Sequence, residues 1–126
     1  MIFYYTPFME DFPYEQSKEM YEENQKLIED DNDFDNVIKH TFFLSFVDEN
    51  KDLLGCIYFY KLEDDKLYVN AFADRGHHEI NLKALKFAMN GFDEDIYAKT
   101  HQRTAKLCLN RLGFEKLNEE LYVYRR

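Results

Sequence analysis

Three aromatic, apolar runs parted by two short polar stretches restrict this chain more than any other feature. The runs are Thr41 to Val47 (TFFLSFV), Leu54 to Leu62 and Leu67 to Ala73. The polar stretches between them are Asp48-Glu49-Asn50-Lys51-Asp52 and Glu63-Asp64-Asp65-Lys66. Runs this short and this rich in Phe, Tyr, Val and Ile read as buried strands. Connections of four or five polar residues leave no room for a crossover, so consecutive strands must pair antiparallel. The centre of the fold is therefore a three-stranded meander.

The flanks follow from periodicity. Residues 2 to 8 read as a first strand ended by Pro7. Asp11 and Pro13 suit a helix start, since Asp caps and Pro fits a first turn. From Tyr14, the residues Met20, Tyr21, Leu27 and Ile28 share one helical face with the smaller Ser17 and Asn24. The run Glu29-Asp30-Asp31-Asn32-Asp33 ends that helix, because acids oppose the dipole at a C-terminus. Phe34, Val37 and Ile38 predict a second, short helix.

After the meander, Glu79 to about Asn90 predicts a helix with a broad apolar face and Gly91 as its stop. Residues 95 to 100 predict a short strand, and Arg103 to Leu112 a helix closed by Gly113. Leu121 to Tyr124 predicts a last strand. The order β-α-α-β-β-β-α-β-α-β predicts an α+β sandwich around a mostly antiparallel sheet. The 126 residues, without repeat or linker, read as one domain.

Charge and cysteine usage narrow the function classes. The net charge is −9, the wrong sign for a general nucleic-acid binder, which must replace phosphate counterions. The excess sits at the front: residues 1 to 50 carry 13 acidic and 3 basic side chains, and the remainder 12 and 13. A solvated acidic helix face explains this most simply. It also suits attraction of a cationic, amine-bearing partner. A third reading, an acidic surface that mimics nucleic acid, rests on the cluster from Glu29 to Asp35. No apolar run reaches the roughly 18 residues of a membrane helix, and the start lacks a basic leader region. Cys56 and Cys108 read as reduced core thiols in a cytoplasmic protein. No spacing of Cys or His predicts a metal site.

The most specific stretch is Gln102-Arg103-Thr104-Ala105-Lys106-Leu107-Cys108-Leu109-Asn110-Arg111-Leu112-Gly113-Phe114. With the order of elements, it resembles the closing strand-to-helix motif of the GNAT superfamily of N-acyltransferases. The chain is similar to a short, divergent member such as those found in bacteriophages. The resemblance implies that acetyl-CoA lies between two splayed parallel strands as co-substrate. Its pantetheine would pair with the edge of the third meander strand near Phe72 and Ala73. Its pyrophosphate would sit on the turn Arg75-Gly76-His77-His78, with Lys83 one turn into the following helix. Gln102, Ala105 and Leu109 occupy the cofactor-side positions of the closing motif. The family's loop carries more glycine than this one: two of its Gly positions fall on His78 and Ile80. Its frequent Tyr acid falls on Leu109, and its usual Asn on Gln102.

Amine attack on a thioester needs a proton acceptor. His77 and His78, at the end of the third meander strand, are candidates because His titrates near neutrality. Tyr68 and Asn70 on that strand are candidates to orient a water. Tyr122 and Tyr124 are candidates for the acceptor side, although among 10 Tyr any one is more often packing. The expected partner is an amine-bearing small molecule, a protein lysine or a protein N-terminus, bound by a monomer or homodimer, with no nucleic acid and no membrane. The alternative is a GNAT-like domain without catalysis that acts as a binding or structural protein.

Overall fold

A computed structural model describes the chain except Arg75 and His77, and describes His78 through its backbone alone. The elements in order are β1 (Phe3–Tyr5), α1 (Tyr14–Ile28), α2 (Phe34–His40), β2 (Phe42–Val47), β3 (Leu53–Lys61) and β4 (Leu67–Ala73). Then come α3 (His78–Met89), β5 (Ile96–Lys99), α4 (Arg103–Leu112), β6 (Glu115–Lys116) and β7 (Leu121–Tyr124). They build a seven-stranded sheet in the order β1-β2-β3-β4-β5-β7-β6. Every neighbouring pair is antiparallel except β4 and β5, which are parallel. The expected α+β class and element order are the observed ones. The addition is β6, two exposed residues too short to leave a period.

Strand alternation sorts the side chains onto two faces. One face carries Phe43, Val47, Cys56, Tyr58 and Phe72, and buries them under Tyr21 of α1 and Phe34 and Val37 of α2. The other carries Leu44, Phe46, Ile57, Phe59, Val69, Ile96 and Ala98 beneath Ala84, Ala88 and Met89 of α3 and Leu109 of α4. The sheet is thus clad by α1 and α2 on one side and by α3 and α4 on the other.

Small residues set the close approaches. Ser17 of α1 and Ser45 of β2 are both fully buried, and their hydroxyls meet at 2.7 Å. Gly55 of β3 lies under the Phe46 ring; a Cβ there would stand 2.6 Å from that ring and 2.8 Å from the Phe72 carbonyl oxygen. A glycine is required at this position by space, not by φ.

The first helix differs from expectation at its start. Its N-cap is Pro13, with no side-chain hydrogen bond, so Asp11 does not cap it. Its other end is closed by Glu29 in the left-handed region (φ 55°), whose N–H donates to the Gln25 carbonyl. No described helix is long and apolar enough to cross a membrane.

Candidate functional site

The parallel pair β4 and β5 separates after two partner pairs, Leu67 with Ile96 and Tyr68 with Tyr97. What β4 exposes beyond that point follows from ladder parity. The Asp74 N–H donates to the Leu54 carbonyl at 2.8 Å, which makes these two a hydrogen-bonded pair. In an antiparallel ladder such pairs alternate. The main-chain groups of Phe72 and Asn70 therefore face β3, and those of Ala71 and Ala73 face the opening. Parity on β5 runs the same way: Thr100 N–H donates to the Glu120 carbonyl at 2.9 Å, which leaves Lys99 facing β4. The Ala71 N–H meets its neighbour's Asn70 Oδ1 at 3.2 Å.

This parity corrects the expectation for Phe72. Its amide turns to β3, and its side chain is a buried core residue beside Tyr21 and Tyr58. Ala73 does lie on the open edge.

Past this edge the chain turns at Gly76 (φ 92°) and enters α3. A Cβ on Gly76 would meet nothing within 4 Å, so conformation rather than crowding calls for glycine, and the space in front of it is open. The first N–H groups of α3 have no partner within the helix, as at every helix start. Glu79 in that turn does not stand as a bare acid: its carboxylate accepts a 2.9 Å hydrogen bond from Arg111 of α4. Arg75 and His77, expected at the phosphate position and as a base, lie outside the described residues, as does the side chain of His78. Lys83 is exposed on the face of α3 that carries Ile80 and Phe87 and lines a hollow of about 560 Å³ against Met1, Ile2 and Tyr4.

On the other side of the sheet an open cleft of about 340 Å³ lies between the α1–α2 turn and the middle of β3 and β4. Its centre is a polar relay. The Tyr58 hydroxyl donates to Asp30 Oδ2 at 2.6 Å and accepts from Asn70 Nδ2 at 3.0 Å. Asn70 Nδ2 also reaches the Ile28 carbonyl at 3.3 Å. Asp30 Oδ1 accepts from the Asn32 N–H at 3.0 Å and from its side-chain amide at 2.7 Å. Tyr21 and Gln25 brace the turn from below through the Asn32 carbonyl.

Partial burial pushes the Asp30 carboxyl upward, but the donors Tyr58 and Asn32 outweigh it and hold the group below its usual range. Tyr58 is raised by burial first and by its bond to Asp30 second. Tyr60, next along the strand, is raised by burial and by the Asp30 charge. The cleft therefore presents a fixed carboxylate and neutral phenols. Above it, His101 Nε2 lies 3.5 Å from Glu29 and 2.9 Å from Glu120, which ties the end of α1 to the β6–β7 turn.

The remaining expected residues are placed as follows. Asn70 lines the cleft and donates to the Tyr58 hydroxyl and the Ile28 carbonyl. Tyr68 is buried, gives its hydroxyl to Asp64 at 2.8 Å, and is pushed up to about 12 by burial and that bond. Gln102 is the N-cap of α4 without a side-chain cap bond, and Ala105 is half-buried. Leu109 is a core residue, so α4 offers no hydroxyl there. Tyr122 is also buried in the core, and Tyr124 packs on Phe114 and under Arg126. Cys56 is fully buried and pushed up to about 12 by burial, which removes it as a nucleophile. No group of three metal-ligating side chains forms among the described residues.

No protein-family model matches the sequence, and no curated protein matches it. Solved structures do match its fold. An N-acetyltransferase from Staphylococcus aureus Mu50 superposes with a TM-score of 0.73 at 14% identity, covering 99% of this chain and 97% of that one. An acetyltransferase from Streptococcus agalactiae 2603 gives 0.69 at 12% identity over 99% and 98%. A GNAT family acetyltransferase from Elizabethkingia anophelis, solved with acetyl-CoA bound, gives 0.64 at 16% identity over 100% and 97%. The chain has the GNAT fold.

Proposed function

We propose that this chain is an acetyl-CoA-dependent N-acyltransferase. The observation that carries the reading is the open edge of β4 at Ala71 and Ala73, set between the start of α3 and the cleft under the α1–α2 turn. An amide edge is what a pantetheine arm needs, since its own amides can pair as a strand would. The Gly76 turn and the first N–H groups of α3 suit an anionic pyrophosphate. The fold's neighbour with acetyl-CoA bound supports the same assignment.

In this reading the acyl group lies at the edge of β4 and its carbonyl oxygen takes the N–H of Ala73, so charge that develops on oxygen meets a fixed donor. A neutral amine enters from the tyrosine-lined cleft on the opposite side. Its nitrogen lone pair forms the new N–C bond, the C–S bond breaks, and the electron pair leaves on the thiolate. One proton leaves the nitrogen, and the thiolate takes one up to give free CoA. Asp30 already accepts from Tyr58 and Asn32 and is held ionised, so it fixes the wall of the cleft instead of serving as the base. His77 and His78 remain the proposed proton acceptors. Holding both reactants in one cleft supplies proximity and orientation.

A second reading, a GNAT-like binding domain without catalysis, rests on Leu109, where the family's acid is absent. Release of free CoA thiol from acetyl-CoA in the presence of an amine panel separates the two. Amine-dependent release above the rate without protein is expected. Binding of acetyl-CoA without release for any amine supports the second reading.

A further inference from the structure

We propose that the cleft under the α1–α2 turn takes a linear aliphatic amine carrying at least two ammonium groups. The floor of this cleft is aromatic. Four tyrosines from three adjacent strands lie in contact on one sheet face. Tyr58 and Tyr60 have ring centroids 6.0 Å apart, Tyr60 and Tyr68 5.7 Å, and Tyr68 and Tyr97 5.8 Å. The outer end of this row already receives cations from the chain itself. Lys66 Nζ stands 5.0 Å over the Tyr97 ring and Lys99 Nζ 5.7 Å over the Tyr68 ring. Ring faces on this floor therefore accept alkylammonium groups. The inner end, Tyr58 and Tyr60, lines the open cleft.

The wall over that inner end carries Glu29, Asp30 and Asp31. Asp30 is half-buried and held ionised, while Asp31 is exposed to the cleft mouth. Tyr58 is buried and offers only its hydroxyl edge, so the ring open to a ligand here is the half-buried Tyr60. An aliphatic chain laid on it, with an ammonium between that ring and the carboxylates, satisfies both surfaces. A volume near 340 Å³ is at the lower end for ligand sites, which favours a small acceptor over a folded protein segment. The requirement for two ammonium groups comes from the chemistry. The attacking nitrogen must be neutral, so recognition by carboxylates and rings needs a second, charged nitrogen on the same chain. The catalytic consequence rests on the acyltransferase reading; the binding itself does not.

The test is calorimetric titration of the full chain with spermidine and with butylamine at low salt, each with and without acetyl-CoA. Spermidine is expected to bind up to about fivefold more tightly than butylamine, the share of a second ion pair. Tyr60→Leu is expected to weaken spermidine by about fivefold, the share of one cation–π contact. Asp31→Asn is expected to weaken it more than Glu10→Gln, an equal loss of charge away from the cleft. Circular dichroism checks that each variant is folded. Equal binding of the two amines, or equal effects of Asp31→Asn and Glu10→Gln, overturns the proposal in favour of general attraction to an acidic chain. Displacement of spermidine by a lysine-bearing peptide at lower concentration overturns the small-amine assignment. Acetyl-CoA binding without spermidine binding removes this inference alone. Spermidine binding without acetyl-CoA binding removes the acyltransferase reading alone.

Discussion

Removing one hydroxyl, in Tyr58→Phe, isolates the polar relay that shapes the cleft. The ring is 1% exposed and stacks on Phe43 with centroids 5.6 Å apart, so phenylalanine keeps the packing. What is lost is the donor to the Asp30 carboxylate at 2.6 Å and the acceptor for Asn70 at 3.0 Å. A hydrogen bond to a charged group is worth about 1.5–3 kcal/mol. Asp30 keeps two donors from Asn32 and is reached by water, and Asn70 keeps the Ile28 carbonyl, so the low end applies. A loss of about 2 kcal/mol is expected near neutral pH. With an unfolding entropy of about 2.1 cal/mol/K per residue over 126 residues, Tm falls by about 8 °C.

The loss must also depend on pH. The folded carboxyl of Asp30 lies below its ordinary range. Its contribution to stability is then full above the ordinary carboxylate pKa and disappears as pH falls through the depressed one. Below roughly pH 4 the wild-type advantage over Tyr58→Phe therefore shrinks toward the ~1 kcal/mol of a neutral hydrogen bond. Urea unfolding followed by far-UV circular dichroism, near neutral pH and again near pH 3, measures both values. A penalty under 0.5 kcal/mol near neutrality, or one that does not change with pH, refutes the relay as described.

Three further outcomes are expected. Gly55→Ala destabilises the fold by about 1–3 kcal/mol, because the new methyl meets the Phe46 ring and the Phe72 carbonyl; thermal unfolding reads this directly. Gly76→Val lowers stability by about 1–2 kcal/mol through its positive φ, places its Cβ in open space, and weakens acetyl-CoA by about ten-fold or more in a calorimetric titration. Unchanged affinity would mean that the pyrophosphate is misplaced. In the native protein a thiol reagent labels Cys108 before Cys56, which reacts only on unfolding, because Cys56 is fully buried with its thiol pushed up to about 12; peptide mapping after brief labelling distinguishes the two.

Local signals located the elements well. The apolar runs from Leu67 to Ala73 and from Leu121 to Tyr124 are β4 and β7 to the residue, and Arg103 to Leu112 is α4, because alternation and helical spacing are short-range properties. The start of α1 was less legible: Asp11 has the right chemistry for a cap, but Phe12 and Pro13 carry the chain past it. The candidate site was least legible. Asp30 read as one of several solvated acids; its partner Tyr58 lies 28 positions away, and Asn70, which donates to the Ile28 carbonyl, lies 42 positions from that residue. The choice between Phe72 and its neighbours as edge amides depends on which ladder pair is hydrogen-bonded, and composition is silent on that. His101 between Glu29 and Glu120 joins three loops that are separate in sequence.

In the proposed function, acetyl-CoA enters the opening between β4 and β5 and its pyrophosphate rests on the turn at Gly76. Calorimetric titration of the unmodified chain with acetyl-CoA tests it most directly. One saturable site in the micromolar range, competed by free CoA, is the expected result. Absence of binding at millimolar acetyl-CoA, with the protein shown to be folded, would contradict it.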